Sequence, residues 1–202
     1  MPLVSIENVA PDVRIGLWQL SENVDGLLGL CRDTSAMECL IGRYASDSRR
    51  REVIAVRLLL DALVGGNVTL HHEKTGKPYL SNGMNVSVSH TKGCASVIVS
   101  PCRLVAVDVE YVSERVGAVA DRMLRHDENA DTLLMKLLHW CAKETLYKLY
   151  SDDHLALQDI RVVSVDGDDH GGVMKTRNVQ RCEALDVSYR VFGKFVLTYA
   201  VL

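Results

Sequence analysis

Apolar and polar positions change period several times along this chain, and each change marks an element. Val13–Gln19 alternates as a strand with one buried face does. Across residues 24–63 the apolar positions recur at helical spacing. The clearest stretch is 50–63, closed by Gly65-Gly66. Residues 68–72 alternate again as a short strand. Residues 85–90 alternate valine with small polar side chains, turn at Thr91-Lys92-Gly93, and return as the apolar run 95–99, which reads as a hairpin. Residues 104–110 read as a buried strand. Helices are predicted over 112–124 and 129–150, broken by Arg125-His126-Asp127-Glu128. Residues 151–154 read as a loop and 160–165 as a strand. The hydrophilic stretch 166–183 reads as a mobile hairpin connection. Residues 184–192 and Phe195–Val201 form a last hairpin turning at Gly193-Lys194.

This order repeats. Helices, then a strand, then a hairpin occur over 48–99 and again over 129–201. The repeat suggests, at the level of elements only, a duplication of an α+β chain into halves 1–102 and 103–202, for which a pseudo-twofold arrangement is the natural expectation. A ligand cleft is expected at the seam between them, where pockets commonly form. With 202 residues, 48% hydrophobic, the chain can bury a substantial core. It has 4 prolines and no Pro/Gly/Ser-rich linker between the halves.

Charge narrows the possible partners. The net charge is −3 and the pI about 6.2, so the basic footprint of a nucleic-acid-binding domain is lacking. Arg49-Arg50-Arg51 is the one local basic cluster. It opens a predicted helix, where cations oppose the macrodipole, and a bound anion would resolve that conflict. The six cysteines show no C-x-x-C pair and read as small hydrophobes of a reducing compartment. The N-terminal residues lack a charged region followed by an apolar run, and no window approaches a membrane span. A soluble, cytoplasmic protein is the expectation.

Two places carry charge where the pattern calls for apolar residues. Asp108 and Glu110 arrive at alternate positions of a buried strand and so share one face, about 7 Å apart, while Val105, Val107 and Val109 cover the other. They are either the open face of an edge strand or a pair of hard-oxygen ligands for a cation such as Mg²⁺. On the long second helix Trp140, Glu144 and Lys148 lie in one row. Taken alone, Glu144 and Lys148 could be a surface pair worth roughly 0.2–0.5 kcal/mol. Gly76-Lys77-Pro78 is turn chemistry and lacks the remaining glycines of a P-loop. Ser89-His90 ends a strand, where neighbours point to opposite faces, and no G-x-S-x-G elbow accompanies it.

Taken in order, Gly76-Lys77-Pro78, Ser89-His90, Asp108-Val109-Glu110 and Trp140-x-x-Lys143-Glu144-x-x-x-Lys148 resemble the motif set of the 4′-phosphopantetheinyl transferases of the single-chain Sfp type. The resemblance spans residues 50–148. It implies Mg²⁺-dependent transfer of the phosphopantetheine arm of coenzyme A to a serine of an apo acyl or peptidyl carrier protein, releasing adenosine 3′,5′-bisphosphate. It also implies a fold of two similar α/β halves with the coenzyme in the cleft between them, and that Asp108, Glu110 and Glu144 hold the metal. Glu144 would be the base for the carrier serine, directly or through water, and Lys148 would meet the diphosphate. Coenzyme contacts are implied for Lys77, Ser89, His90, Asp108 and the Gly76–Pro78 backbone. One arginine of the 49–51 cluster, with Arg50 and Arg51 the leading candidates and Arg57 a further one, would meet the 3′-phosphate. No nucleic-acid or membrane partner is implied, and one chain would contain the whole cleft, so a monomer is expected. The sequence departs from the family's pattern at Ala106, at Cys141, at Arg122-Met123-Leu124 and over residues 149–154. The last two bear on carrier choice. A non-catalytic coenzyme A- or carrier-binding module of the same fold, and a structural protein whose acids are surface charge, stand as alternatives.

Overall fold

The computed structural model describes residues 3–202 and shows an α+β fold. The chain begins with strands β1 (Leu3–Ala10) and β2 (Val13–Gln19), followed by helices α1 (Val24–Leu28), α2 (Thr34–Ile41) and α3 (Asp47–Val64). A short ribbon follows, β3 (Leu70–His72) with β4 (Pro78–Leu80), and then the hairpin β5 (Asn85–Thr91) and β6 (Cys94–Ser100). Next come β7 (Val105–Tyr111), α4 (Glu114–Met123) and α5 (Leu133–Leu149). The chain closes with β8 (Ile160–Gly167), β9 (Gly171–Asn178), β10 (Glu183–Phe192) and β11 (Phe195–Val201). Residues 3–100 build a sheet of order β1-β2-β6-β5. Residues 105–201 build one of order β7-β11-β10-β9-β8.

Each sheet is apolar on both faces, and the alternation decides what covers each. Val13, Ile15, Leu17, Cys94 and Ile98 of the first sheet share one core with Val105, Val107, Val109, Phe195 and Leu197 of the second. The opposite face of the first sheet, with Trp18, Ala95, Val97 and Val99, is covered by Ile54, Leu59, Leu60 and Leu63 of α3. That of the second, with Ala106, Val196 and Ala200, is covered by Leu137, Leu138, Cys141 and Leu146 of α5. Gly16 lets α3 approach closely, since a Cβ there would stand 3.0 Å from Leu59. Helix ends follow local chemistry. The Thr132 hydroxyl accepts from the Met135 N–H at 3.2 Å and starts α5. Gly65, at φ +90°, ends α3.

Three stretches differ from the sequence expectation. Residues 3–10 form an edge strand paired with β2; its half-buried positions include the polar Ser5 and Glu7, while Ile6 is exposed. The Gly-Lys-Pro turn does not stand alone; it closes the β3–β4 ribbon, with Gly76 at φ +91°. The stretch taken for a mobile connection is strand β9, paired on both sides. Its buried positions are Met174, Thr176 and Asn178, so the period of two is present but carried mostly by polar side chains. Among the described residues no helix is long and apolar enough to cross a membrane.

Candidate active site

Because Val107 and Val109 turn into the core between the sheets, Asp108 and Glu110 of β7 face the other way, toward α5. Asp108 is 4% exposed. Its Oδ1 accepts from Lys148 Nζ at 2.7 Å and from Ser89 Oγ at 2.8 Å. Its Oδ2 is buried with no hydrogen-bond partner. Lys148 Nζ also donates to the Val107 carbonyl at 3.0 Å. So Lys148 pairs with Asp108 across the elements, and no bond to Glu144 along its own helix is formed. Glu110 is held at both oxygens. Trp140 Nε1 donates to Oε1 at 3.3 Å and Thr91 Oγ1 to Oε2 at 3.3 Å. Burial, then the Asp108 charge, raises the Glu110 carboxyl above its ordinary range, against Trp140, Thr91 and Lys148. Glu144 is raised in the same way, by burial first and then by Asp108, with Glu110 adding and Lys148 opposing. The Cys141 thiol beside Asp108 is pushed well up by burial, and further by both acids.

The strand that carries Ser89 supplies a second structural device. Ser87, Ser89 and Thr91 of β5 accept from the backbone N–H groups of Val107, Val109 and Tyr111 at 3.2, 3.2 and 3.3 Å. The two sheets are therefore joined along β5 and β7 by side-chain hydroxyls. Two of these hydroxyls donate onward, Ser89 to Asp108 and Thr91 to Glu110. One row of three small side chains thus fixes both the seam and the orientation of both acids.

His90, adjacent to Ser89, lies on the other face with α3. Its Nδ1 is 3.2 Å from Glu52 Oε2, and the Arg49 guanidinium touches its ring. Arg49 also pairs with Glu52 at 3.2 Å. Burial works to raise the Glu52 carboxyl, but the hydrogen bonds and charges of His90 and Arg49 outweigh it and hold the group below its ordinary value. These residues wall a cavity of about 290 Å³ whose lining also includes Arg43, Arg57, His72 and Tyr44. One carboxylate against three guanidiniums and two imidazoles makes this an anion-favouring pocket. Burial, and then Arg57, Arg49 and Arg43, lower the His72 imidazole below its ordinary value.

The predicted residues thus fall into two groups on either side of β5. Asp108, Lys148 and Ser89 join at the seam, Glu110 lies beside them on β7, and Glu144 of α5 is near enough to feel their charges; His90 lines the cavity. Arg49 is the member of the arginine cluster that reaches the cavity. Arg50 donates to the Tyr44 carbonyl at 2.7 Å and Arg51 to the Glu22 carbonyl at 3.3 Å, so neither of these two lines it. Arg57 lines it while donating to the Leu70 carbonyl at 3.1 Å. Lys77, between Gly76 and Pro78 on the ribbon, joins Asp152 beyond α5 at 3.0 Å. Trp140 adds an indole donor to Glu110 that helical spacing alone does not reveal; its place in the same row as Glu144 and Lys148 is the one signal the sequence offers. Arg43, Tyr44, Glu52 and His72 carry no motif and are recognised from the cavity alone.

The donor set suits a hard divalent cation in its chemistry: three carboxylates, two of them raised by burial and like charge, and one buried oxygen without a partner. Among the described residues no three His, Cys, Asp or Glu side chains converge as a formed cation site. Lys148 is the cation that now faces Asp108. Compared with family models and with curated proteins, the chain matches none.

Proposed function

We propose that the chain is a Mg²⁺-dependent 4′-phosphopantetheinyl transferase, moving the phosphopantetheine arm of coenzyme A to a serine of an apo acyl or peptidyl carrier protein. The observation that carries the reading is the pairing of Asp108 with Lys148 at the β5–β7 seam, with Glu110 and Glu144 near enough to feel the Asp108 charge, beside a cavity lined by arginine and histidine. The ordered motifs support it, as does the presence of a helix-backed antiparallel sheet in each part of the chain. On this reading the parts are two similar halves in pseudo-twofold arrangement, and the seam is the cleft.

Each group then has a task. Arg49, Arg57 and His90 receive the 3′-phosphate end of the coenzyme, and the Gly76–Pro78 backbone lies by the adenine. Lys77 and Lys148 meet the diphosphate as point charges. Asp108, Glu110 and Glu144 would hold Mg²⁺, which supplies charge neutralisation for the diphosphate and the leaving phosphate oxygen. Glu144 accepts the proton of the carrier serine, directly or through water. The serine oxygen then bonds to the phosphorus that bears the pantetheine arm. The bond from that phosphorus to the bridging oxygen breaks, and adenosine 3′,5′-bisphosphate leaves. Ser89 and Trp140 orient the acids without touching the reacting atoms.

The test is incubation with coenzyme A, Mg²⁺ and several apo-carrier proteins, read by intact mass. Addition of phosphopantetheine to a carrier is expected, and its loss in Asp108→Asn and Glu144→Gln. A wild-type chain that modifies no carrier yet binds coenzyme A tightly would point instead to a binding module. Mg²⁺ is also expected to raise the melting temperature of the wild type and to have little effect on Asp108→Asn.

A further inference from the structure

The residues that follow Lys148 carry a contact that neither the motifs nor the proposed chemistry uses. Lys77 sits at the tip of the β3–β4 ribbon, in a turn closed by Gly76 N–H to the Glu73 carbonyl at 3.0 Å and Glu73 N–H to the Lys77 carbonyl at 2.9 Å. Its ammonium donates to both carboxylate oxygens of Asp152, each at 3.0 Å. Asp152 belongs to a single 3₁₀ turn, Ser151–Asp153, placed directly after α5. The neighbouring Asp153 is held by the Arg181 guanidinium, which also lies 5.2 Å from the centre of the Tyr150 ring. The turn is therefore anchored to the second sheet through Asp153, while Asp152 reaches across to the first part of the chain.

That reach has a consequence for any ligand. The ribbon walls the anion-favouring cavity through Leu70 and His72, and His72 pairs with Pro78 beside Lys77. The 3₁₀ turn lies one helical turn beyond Lys148, which holds the seam acids. A ligand that places one anionic group in the cavity and another at the seam must join the same two elements that Lys77 and Asp152 join. The pair is open to water: the Asp152 side chain is 82% exposed and that of Lys77 35%. An exposed pair of this kind is weak and readily exchanged for a stronger anion.

We infer that Asp152 is an internal competitor for Lys77 and sets the affinity of this chain for its anionic coenzyme. The inference rests on the coenzyme reading above and adds a residue to it. In the free protein the carboxylate occupies the ammonium. A diphosphate displaces it, and the displaced Asp152 turns to solvent while Asp153 keeps the turn in place. No covalent bond is made or broken, so the exchange is one of ion pairs and their hydrogen bonds, sensitive to ionic strength.

Isothermal titration of coenzyme A into the purified chain in low salt tests this as a double-mutant cycle. Asp152→Asn is expected to bind coenzyme A about twofold to fivefold tighter than wild type, the range set by the release of one exposed ion pair. In a Lys77→Met background the same substitution is expected to change nothing. The gain should shrink as salt is raised from about 50 to about 300 mM. The melting temperature of the free chain should fall by no more than the loss of one exposed ion pair allows, because the Asp153–Arg181 contact remains. Equal affinities for wild type and Asp152→Asn would overturn the inference. So would an equal gain in the Lys77→Met background, which would make Asp152 only a distant negative charge. Both outcomes leave the coenzyme reading standing. Failure of coenzyme A to bind the wild type would remove that reading, and this inference with it.

Discussion

Among individual residues, Lys143 shows most clearly what a charge inside the fold requires. Its side chain is fully buried, one position before Glu144. Nζ meets Glu128 Oε2 at 2.8 Å and the Ile160 carbonyl at 2.6 Å. Glu128 is satisfied in turn by the N–H groups of Val162 at 2.7 Å and Arg125 at 2.8 Å. The pair ties the α4–α5 connection and the start of β8 to the helix that carries Glu144 and Lys148. Lys143→Met leaves Glu128 buried and uncompensated, so a loss of about 3–5 kcal/mol is expected in urea unfolding. Adding Glu128→Gln should recover part of it. The motif made Lys143 visible, but nothing in the sequence named its partner. Glu128 lies fifteen positions upstream, in a stretch that reads only as a helix breaker.

At the scale of elements, β5 shows why a short polar strand can matter more than a long apolar one. Ser89 serves the seam and an acid at once, whereas Ser87 serves the seam alone. Ser89→Ala removes the acceptor for a buried N–H and one donor to Asp108, at a cost of about 1–3 kcal/mol. Ser87→Ala should destabilise comparably. If the proposed chemistry holds, Ser89→Ala should lose much more turnover per unit of lost stability than Ser87→Ala, measured as carrier modification against denaturation midpoint. The sequence revealed elements whose period was written in apolar side chains: β2, β6, β7, α3 and α5. It also showed that Asp108 and Glu110 share a face, since that follows from strand geometry. It hid β1 and β9, whose inward positions are partly polar, Thr176 among them, with its hydroxyl donating to the Leu185 carbonyl. It likewise suggested a Glu144–Lys148 pair, because helical spacing cannot reveal that Asp108 on another element offers Lys148 a closer, more buried partner.

For the molecule as a whole, the carboxylates pull stability in opposite directions with pH. Glu52 is held below its ordinary value of 4.5, so its contribution is present above that value and lost as pH falls through the folded one. Glu110 and Glu144 are raised, so the folded chain keeps their protons longer than the unfolded chain does. Their contribution is present in acid and lost as pH rises from 4.5 through the folded values. Stability in the absence of divalent ions should therefore peak in mild acid. Denaturation series across pH check this: Glu52→Gln should flatten the acid limb, and Glu110→Gln the limb toward neutrality.

The hydroxyl-built seam also separates two kinds of motion. Backbone ladders hold β7 to β11 on one side, whereas on the other the amides of Val107, Val109 and Tyr111 lean on three rotatable side chains. A seam of that kind can part without unzipping either sheet. In deuterated buffer those three amides should exchange faster than Ala106, Asp108 and Glu110, their immediate neighbours on the same strand. Alternate residues of one strand would thus act as paired clocks, one set timing the opening between sheets and the other the unfolding of a sheet itself.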